Sequence, residues 1–311
     1  MIRYVIRRLL QGIVVLLLIS VATFSILHLT PTDPIKTLLG ESGKAKLTTE
    51  QINQIRHEWG LDKPLYAQYL TWLGNMARGN FGESIIVTGT PVMTLIKQSL
   101  PVTAKLNILA MLLAIAIAIP AGIFAGSRQY SIFDYGATLG ATLGVSLPNF
   151  WIGLMLIILF ALKLGWLPPF GTSSWKGYIL PVFVLAIEQM AVLTRLMRST
   201  MIEALTQDFI RTARAKGLRS AVVLRRHVVR NALLPIVTVI GYRVAFIFSG
   251  TIVIETVFAV PGIGRLLVNS VYESDYQVVQ AIVLVLTVLV ILANIVTDLV
   301  YALVDPRIRL Q

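Results

Sequence analysis

The sequence predicts an all-α integral membrane protein with six transmembrane helices. Composition is the first observation: of 311 residues, 56% are hydrophobic and only 14% charged, with a mean hydropathy of +0.78. A globular domain is about a quarter charged. The second is patterning, because apolar residues gather into long runs and basic residues gather between them. A net charge of +12 could suggest nucleic acid, but the charges flank apolar runs without interleaved aromatics. Membrane topology accounts for that arrangement, so lipid is expected as a partner and nucleic acid is not. Cysteine is absent, which excludes disulfides, thiolate metal sites and cysteine nucleophiles. His28, His57 and His227 are too scattered to suggest a metal site.

The chain opens on Arg3, Arg7 and Arg8, followed by an apolar run from Leu9 to Leu29. That run is too long for a secretory signal core and lacks a small-x-small cleavage site, so it reads as an uncleaved first span. Residues 30–99 are polar and mixed in charge, long enough for a small extracytoplasmic domain. Within them Thr48-Thr49-Glu50-Gln51 has capping-box spacing, and the helix it opens should stop at Gly60. Pro64 should start a second, amphipathic helix with apolar positions Leu65, Tyr69, Leu70, Leu73 and Met76.

The second span is expected from Pro101 to Ala125, with a turn at Gly126-Ser127-Arg128. The third, Tyr135 to Leu162, contains Pro148, which should kink it or open its hydrogen-bond ladder. Gly165-Trp166-Leu167-Pro168-Pro169 forms an interfacial corner. The fourth span covers Tyr178 to Leu193, and the basic segment 195–230 follows. The fifth runs from Ala232 to Ile254, an outer loop covers 255–277, and the sixth runs from Val278 to about Val300. Six spans put both termini on one side. Fifteen of the 27 Lys and Arg lie on the segments this topology places inside, nine of them in 195–230, which makes that side cytoplasmic.

Fuel and reaction motifs are missing. There is no G-x-x-x-x-G-K-[ST], G-x-S-x-G or H-E-x-x-H, so an enzyme is not expected. Lys105 and Asp298 lie near the ends of their spans; away from the span ends two charges fall inside spans, Glu188 and Arg243. Each alone costs roughly 2.5 kcal/mol or more at mid-bilayer, so each needs a partner or a wet path. Either they pair with each other, or Arg243 lines a translocation path and meets an anionic group of the cargo.

Residues 206–220 stand apart as a basic stretch with Ile210, Ala213 and Gly217 at helical spacing. A narrow face of small residues ringed by Arg211, Arg214, Lys216 and Arg219 suits docking into another protein. Membrane anchors alone do not need small residues.

That stretch, Ile210-Arg211-Thr212-Ala213-Arg214-Ala215-Lys216-Gly217-Leu218 with Arg230-Asn231-Ala232-Leu233-Leu234-Pro235, resembles the EAA loop of binding-protein-dependent ABC importer permeases. The usual form is E-A-A, three residues, G, nine residues, I-x-L-P. Here Arg211-Thr212-Ala213 replaces E-A-A, and 14 residues (218–231) follow the glycine. Both departures are similar to the oligopeptide/dipeptide/nickel branch. So are Pro31-Thr32-Asp33-Pro34, Gly60-Leu61-Asp62-Lys63-Pro64-Leu65, Gly79-Asn80-Phe81-Gly82, Leu147-Pro148-Asn149-Phe150-Trp151, Glu255-Thr256-Val257-Phe258 with Pro261-Gly262-Ile263-Gly264, and Asp305-Pro306-Arg307. The long 30–99 segment resembles the first, B-type permease of that branch.

The resemblance implies the type I permease fold: residues 1–30 as cytoplasmic N-terminus and first span, 31–99 as an extracytoplasmic helical insertion, and 100–311 as a five-helix core with a cytoplasmic coupling loop at 198–230. It implies a heterodimer with a second permease, two cytoplasmic ATP-binding subunits and an external substrate-binding protein, in a bacterial inner membrane. ATP and Mg would sit on the ATPases, with no cofactor on this chain. Phe209, Ile210, Arg211, Ala213, Arg214, Ala215, Gly217 and Leu218 would couple to the ATPases. Asn149, Glu188 and Arg243 would belong to the translocation path. Phe258, Pro261, Gly262, Ile263 and Gly264 would face the binding protein, or else form a re-entrant turn capping the bundle. Di- or oligopeptides are the expected cargo, with nickel or a metal chelate as the rival within the branch. A self-sufficient channel or proton-coupled carrier is the rival outside it.

Overall fold

The computed structural model describes residues 2–29, 62–84, 86–87, 89–244 and 251–304, with isolated positions at 48, 50, 51, 54 and 57. Among them the named elements are helical, beside one isolated antiparallel bridge between Glu83 and Pro91. Helices satisfy their own backbone groups where no water can, which is what a chain this apolar requires. In order they are α1 (Ile2–Leu29), α2 (Leu65–Ala77), α3 (Val92–Ser127), α4 (Ile132–Ser146) and α5 (Asn149–Leu156), which continues as a π turn Ile157–Lys163. A 3-10 turn, Trp175–Tyr178, leads into α6 (Ile179–Thr206), followed by α7 (Asp208–Ala215) and α8 (Ser220–Val222). A second π turn, Val223–Val228, precedes α9 (Val229–Val244), α10 (Ile252–Val257), α11 (Ile263–Tyr272) and α12 (Tyr276–Val304). The sequence motifs at Pro31–Pro34 and Asp305–Arg307, and the expected helix stop at Gly60, lie outside the described residues.

The chain gathers into two compact units. One comprises the chain to Leu100 together with Leu266–Ile295. Here α1 turns apolar side chains such as Leu10, Val14 and Leu18 outward, while Gly12 gives close approach to α12. A Cβ on Gly12 would stand 2.7 Å from Ile291 Cγ2. Helix α2 starts after Pro64, as its sequence predicts. It turns Tyr69 and Trp72 onto Phe24 of α1, with ring centroids 5.4 and 5.6 Å apart. Ser20 donates to the Leu17 carbonyl at 2.8 Å, so the Tyr69 hydroxyl at 2.8 Å is the donor to Ser20. Leu65 and Leu70, expected on the same apolar face, are exposed. The capping box forms as predicted: Thr48 N–H donates to Gln51 Oε1 at 2.9 Å and Gln51 N–H to Thr48 Oγ1 at 3.3 Å. Buried Asp275 accepts from Val278 N–H in the first turn of α12 and from Ser84 Oγ at 2.6 Å, which ties the 82–91 turn to that helix.

The other unit comprises Pro101–Arg265 and the last turns from Val296. Its centre is α6, whose Val184, Leu193, Met197 and Met201 are fully buried. Gly122 and Gly126, four residues apart on α3, bring two backbones together: a Cβ on either would lie 2.9 Å from the Thr194 or Arg198 carbonyl oxygen. Small residues at this spacing are a general means of close helix approach in membranes. Gly144 of α4 similarly lies against Ile187 and Ala191 of α6.

Pro148 does more than kink the third span. Leu147 leaves the helical region at φ −91°, ψ 135°, as a residue before proline prefers, and the axis turns by 104° between α4 and the helix from Asn149 to Lys163. Other span ends move as well. Helix α3 begins at Val92, with Pro101 inside it. Helix α6 continues past Leu193 to Thr206, so Arg195 and Arg198 are helical. Four helices among the described residues are long and apolar enough to cross a membrane, or five if the bent pair counts as one. The remaining expected span, Ala232–Ile254, is represented by α9 up to Val244, and 245–250 lie outside the described residues.

Where α4 begins, Ser131 caps it and Asp134 is 2% exposed. Asp134 accepts a two-point hydrogen bond from Arg198 Nε and Nη2, and a further one from Tyr130 N–H at 3.0 Å. Removing one partner strands the other, whereas removing both does not. Asp134→Ala is therefore expected to destabilise the purified chain by about 3 kcal/mol, and Asp134→Leu with Arg198→Leu to recover most of that, as measured by thermal denaturation in detergent.

Candidate functional site

After α6 ends, Gln207 takes extended geometry (φ −69°, ψ 148°) and restarts the helix as α7. Asp208 in its first turn and Arg214 in its last complement the helix dipole. The inner face of α7 is held to its own chain: Ile210 is 1% and Ala213 6% exposed, in a core shared with Met201, Ala204, Val223 and Val228. This corrects the expectation that both residues belong to an outward docking face. Phe209, Arg211, Arg214, Ala215, Gly217 and Leu218 remain exposed.

Gly217 ends α7 rather than paving a face. Its φ is +77°, and no atom lies within 4 Å of where its Cβ would be. Leu218 N–H reaches the Ala213 carbonyl at 3.4 Å and Gly217 N–H the Arg214 carbonyl at 2.9 Å, the two bonds of a Schellman stop. The glycine thereby turns Leu218 outward, where it is 40% exposed, as is Phe209. The site is a short rigid helix with an inner apolar face bonded to the chain. Its outer rim carries Phe209, Leu218 and two arginines, and the exposed Arg211–Asp208 pair at 3.7 Å adds little stability.

The break at Pro148 brings together two residues expected in the translocation path. Asn149 Nδ2 donates to Glu188 Oε2 at 3.2 Å, and Glu188 is exposed. Arg243 is half-buried on α9, and no ion pair joins it to Glu188, so the pairing alternative is not realised.

The loop after α10 is turned inward. Phe258, Gly262, Ile263 and Gly264 are buried, and of the five residues expected to face a binding protein only Pro261 is exposed. What holds the loop is Glu255, itself fully buried, which the sequence marks only as part of a motif and not as a buried acid. Its Oε1 accepts from Thr103 Oγ1 at 2.6 Å and Thr251 Oγ1 at 2.8 Å, and its Oε2 accepts from Arg265 N–H at 3.0 Å. Thr103 Oγ1 in turn accepts from Ile263 N–H at 2.9 Å. Gly262 rests on the Glu255 carboxyl group, and a Cβ on Gly264 would stand 2.8 Å from Ile252 Cα. The glycines of Pro261-Gly262-Ile263-Gly264 thus fit the loop over a buried acid. Asp134 and Arg198 were also missed, although Ser131-x-x-Asp134 is legible as a helix start. Among the described residues no three His, Asp or Glu side chains converge on a possible metal position; His57 Nδ1 sits 2.7 Å from Asp62 Oδ2.

Comparison with known proteins matches residues 118–310 to a family described as the binding-protein-dependent transport system inner membrane component, and residues 1–107 to the N-terminal part of such membrane components. The chain is 42% identical to the oligopeptide transport system permease protein AppB of Bacillus subtilis, over 98% of this chain and 99% of that protein. It is 38% identical to the di/tripeptide transport system permease protein DppB of Pseudomonas aeruginosa, over 94% of each. With the glutathione transport system permease protein GsiC of Escherichia coli K12 it shares 40%, over 99% of each. A solved structure of the MetNI methionine ABC transporter in an inward-facing conformation superposes with a TM-score of 0.57 at 16% identity, covering 68% of this chain and 97% of that one.

Proposed function

The chain belongs to the binding-protein-dependent transport system inner membrane component family, and from that premise we propose that it is the first permease of an ATP-driven importer of short peptides. As a member it is a multi-pass inner-membrane transport subunit and not an enzyme, and it works in a complex with other subunits. The peptide reading is carried by one observation: relatives matching nearly the whole chain are named for oligopeptides, di/tripeptides and glutathione. None of these names favours nickel, and a chelate importer is not retained.

In this reading the chain forms half of the path with a second permease, both termini lie in the cytoplasm, and two ATP-binding subunits act on α7. The physical support is the two-sided character of that helix. Its outer rim is free for a partner, while Ile210 and Ala213 fix its inner face to the core that contains α6. A displacement of α7 therefore moves α6 with it instead of bending a loop, as alternating access by rigid-body motion requires. Asn149, Glu188 and Arg243 belong to the path, and the binding protein delivers cargo from outside.

Proteoliposomes containing the two permeases and both ATPases are expected to accumulate labelled dipeptide only with ATP inside and binding protein outside. Uptake by vesicles holding this chain alone would replace the reading with a self-sufficient channel or carrier.

A further inference from the structure

Helix α6 carries a stripe that lipid cannot cover. Glu188, Arg195, Ser199 and Glu203 are all exposed, and the first three fall within about 40° of one another at ~100° per residue. Leu10 and Leu18 on α1 and Ile108 and Leu112 on α3, exposed as well, are apolar, as suits a lipid-facing surface. The other side of α6, with Val184, Met197 and Met201, is buried in the chain's own core. A glutamate turned to hydrocarbon is expensive, and Arg195 stands at the inner end of that span, so this face meets water or a charged ligand. Among the described residues Glu188 is bonded to Asn149 through Oε2, with no partner on Oε1, and Arg195 has no ion-pair partner.

We propose that Glu188 and Arg195 form a cargo subsite that takes a short zwitterionic peptide by both ends, a proposal that rests on the peptide-import reading. The ammonium group meets Glu188, whose carboxyl is steadied by Asn149, and the terminal carboxylate meets the two-pronged guanidinium of Arg195. Seven residues of helix separate the charges by ~10.5 Å. Three extended residues span about that length at ~3.5 Å each, so the subsite fits peptides of two to four residues once side-chain reach is included. A free cation or anion would satisfy only one of the two positions. With the topology proposed above, the amino end lies nearer the outer face, and Ser199 and Glu203 continue the stripe toward the cytoplasm.

The test uses the complete transporter in proteoliposomes with its binding protein, and trialanine, N-acetyl-trialanine and trialanine amide as probes. Glu188→Gln is expected to lower trialanine uptake about tenfold and leave the acetylated peptide unchanged, the loss expected for one charge-assisted hydrogen bond. Arg195→Gln should do the same for trialanine against the amide, and Arg195→Lys should recover part of it. Because the chain has no cysteine, a thiol at Ser199→Cys can be labelled with a water-soluble methanethiosulfonate. Labelling is expected, slowed severalfold by trialanine in the otherwise wild-type chain but not in Glu188→Gln; a thiol at Leu112→Cys should stay unlabelled. Unchanged peptide preferences together with absent or unprotected labelling at Ser199→Cys would overturn the subsite. Labelling at that position with no trialanine uptake by the wild type would instead remove the peptide-import reading.

Discussion

Glu255→Ala is expected to destabilise the purified chain by about 3–5 kcal/mol, since each buried donor left without an acceptor costs about 1–3 kcal/mol. Three donors depend on that carboxyl group: Thr103 Oγ1, Thr251 Oγ1 and Arg265 N–H. Thr103 and Thr251 are buried as well, so water cannot take over from the missing acid. Glu255→Gln keeps one oxygen for the two hydroxyls but turns an amide toward Arg265 N–H, and should cost about half as much. Thermal denaturation in detergent, followed by size-exclusion chromatography, measures both. An alanine variant as stable as the wild type would remove Glu255 from its place at the centre of the loop.

The same site offers a sharper comparison. A Cβ at Gly262 would run into the Glu255 carboxyl group, so Gly262→Ala should be harmful in the wild type and nearly neutral in Glu255→Ala. That non-additivity distinguishes a steric fit to the acid from a conformational need for glycine.

Much of the architecture was legible because local chemistry decides it. Pro64 opens α2, Thr48 and Gln51 cap each other, and the stretch before Pro148 cannot stay helical. Span ends were less legible, since they depend on what lies beside them. Pro101 sits inside α3 although proline alone argues for a helix start, and inside a membrane bundle such interruptions are tolerated. Arg195 and Arg198 look like the end of a span by composition, yet α6 runs on beneath them. Arg198 is also accounted for by Asp134, 64 positions away.

The candidate site shows a different limit. Periodicity reveals that Ile210 and Ala213 share a face but not what covers it, and here their own chain does. Phe258 and the glycines beside it give the same lesson: a Pro-Gly loop suits a partner's surface or an internal turn equally well until Glu255 is seen beneath it.

That division of α7 into two faces leads to the second large effect. Phe209→Asp with Leu218→Asp is expected to abolish ATP-driven uptake and co-purification of the ATP-binding subunits. Membrane insertion and thermal stability should stay as in the wild type, because both side chains are exposed. Ile210→Asp should behave in the opposite order. A charge placed where the side chain is 1% exposed has no partner, so the chain itself should lose several kcal/mol of stability, and coupling fails only as a consequence. Gly217→Ala lies between the two, costing about 1 kcal/mol for a φ of +77° with no atom in the way. Gly217→Trp keeps that backbone cost and adds bulk beside Leu218, which should stop uptake while leaving insertion intact. Uptake and ATPase retention measured across these four variants separate docking from folding. If the double aspartate variant transported normally, the outer rim of α7 would not be where the ATPases push, and the rigid connection to α6 would have no input.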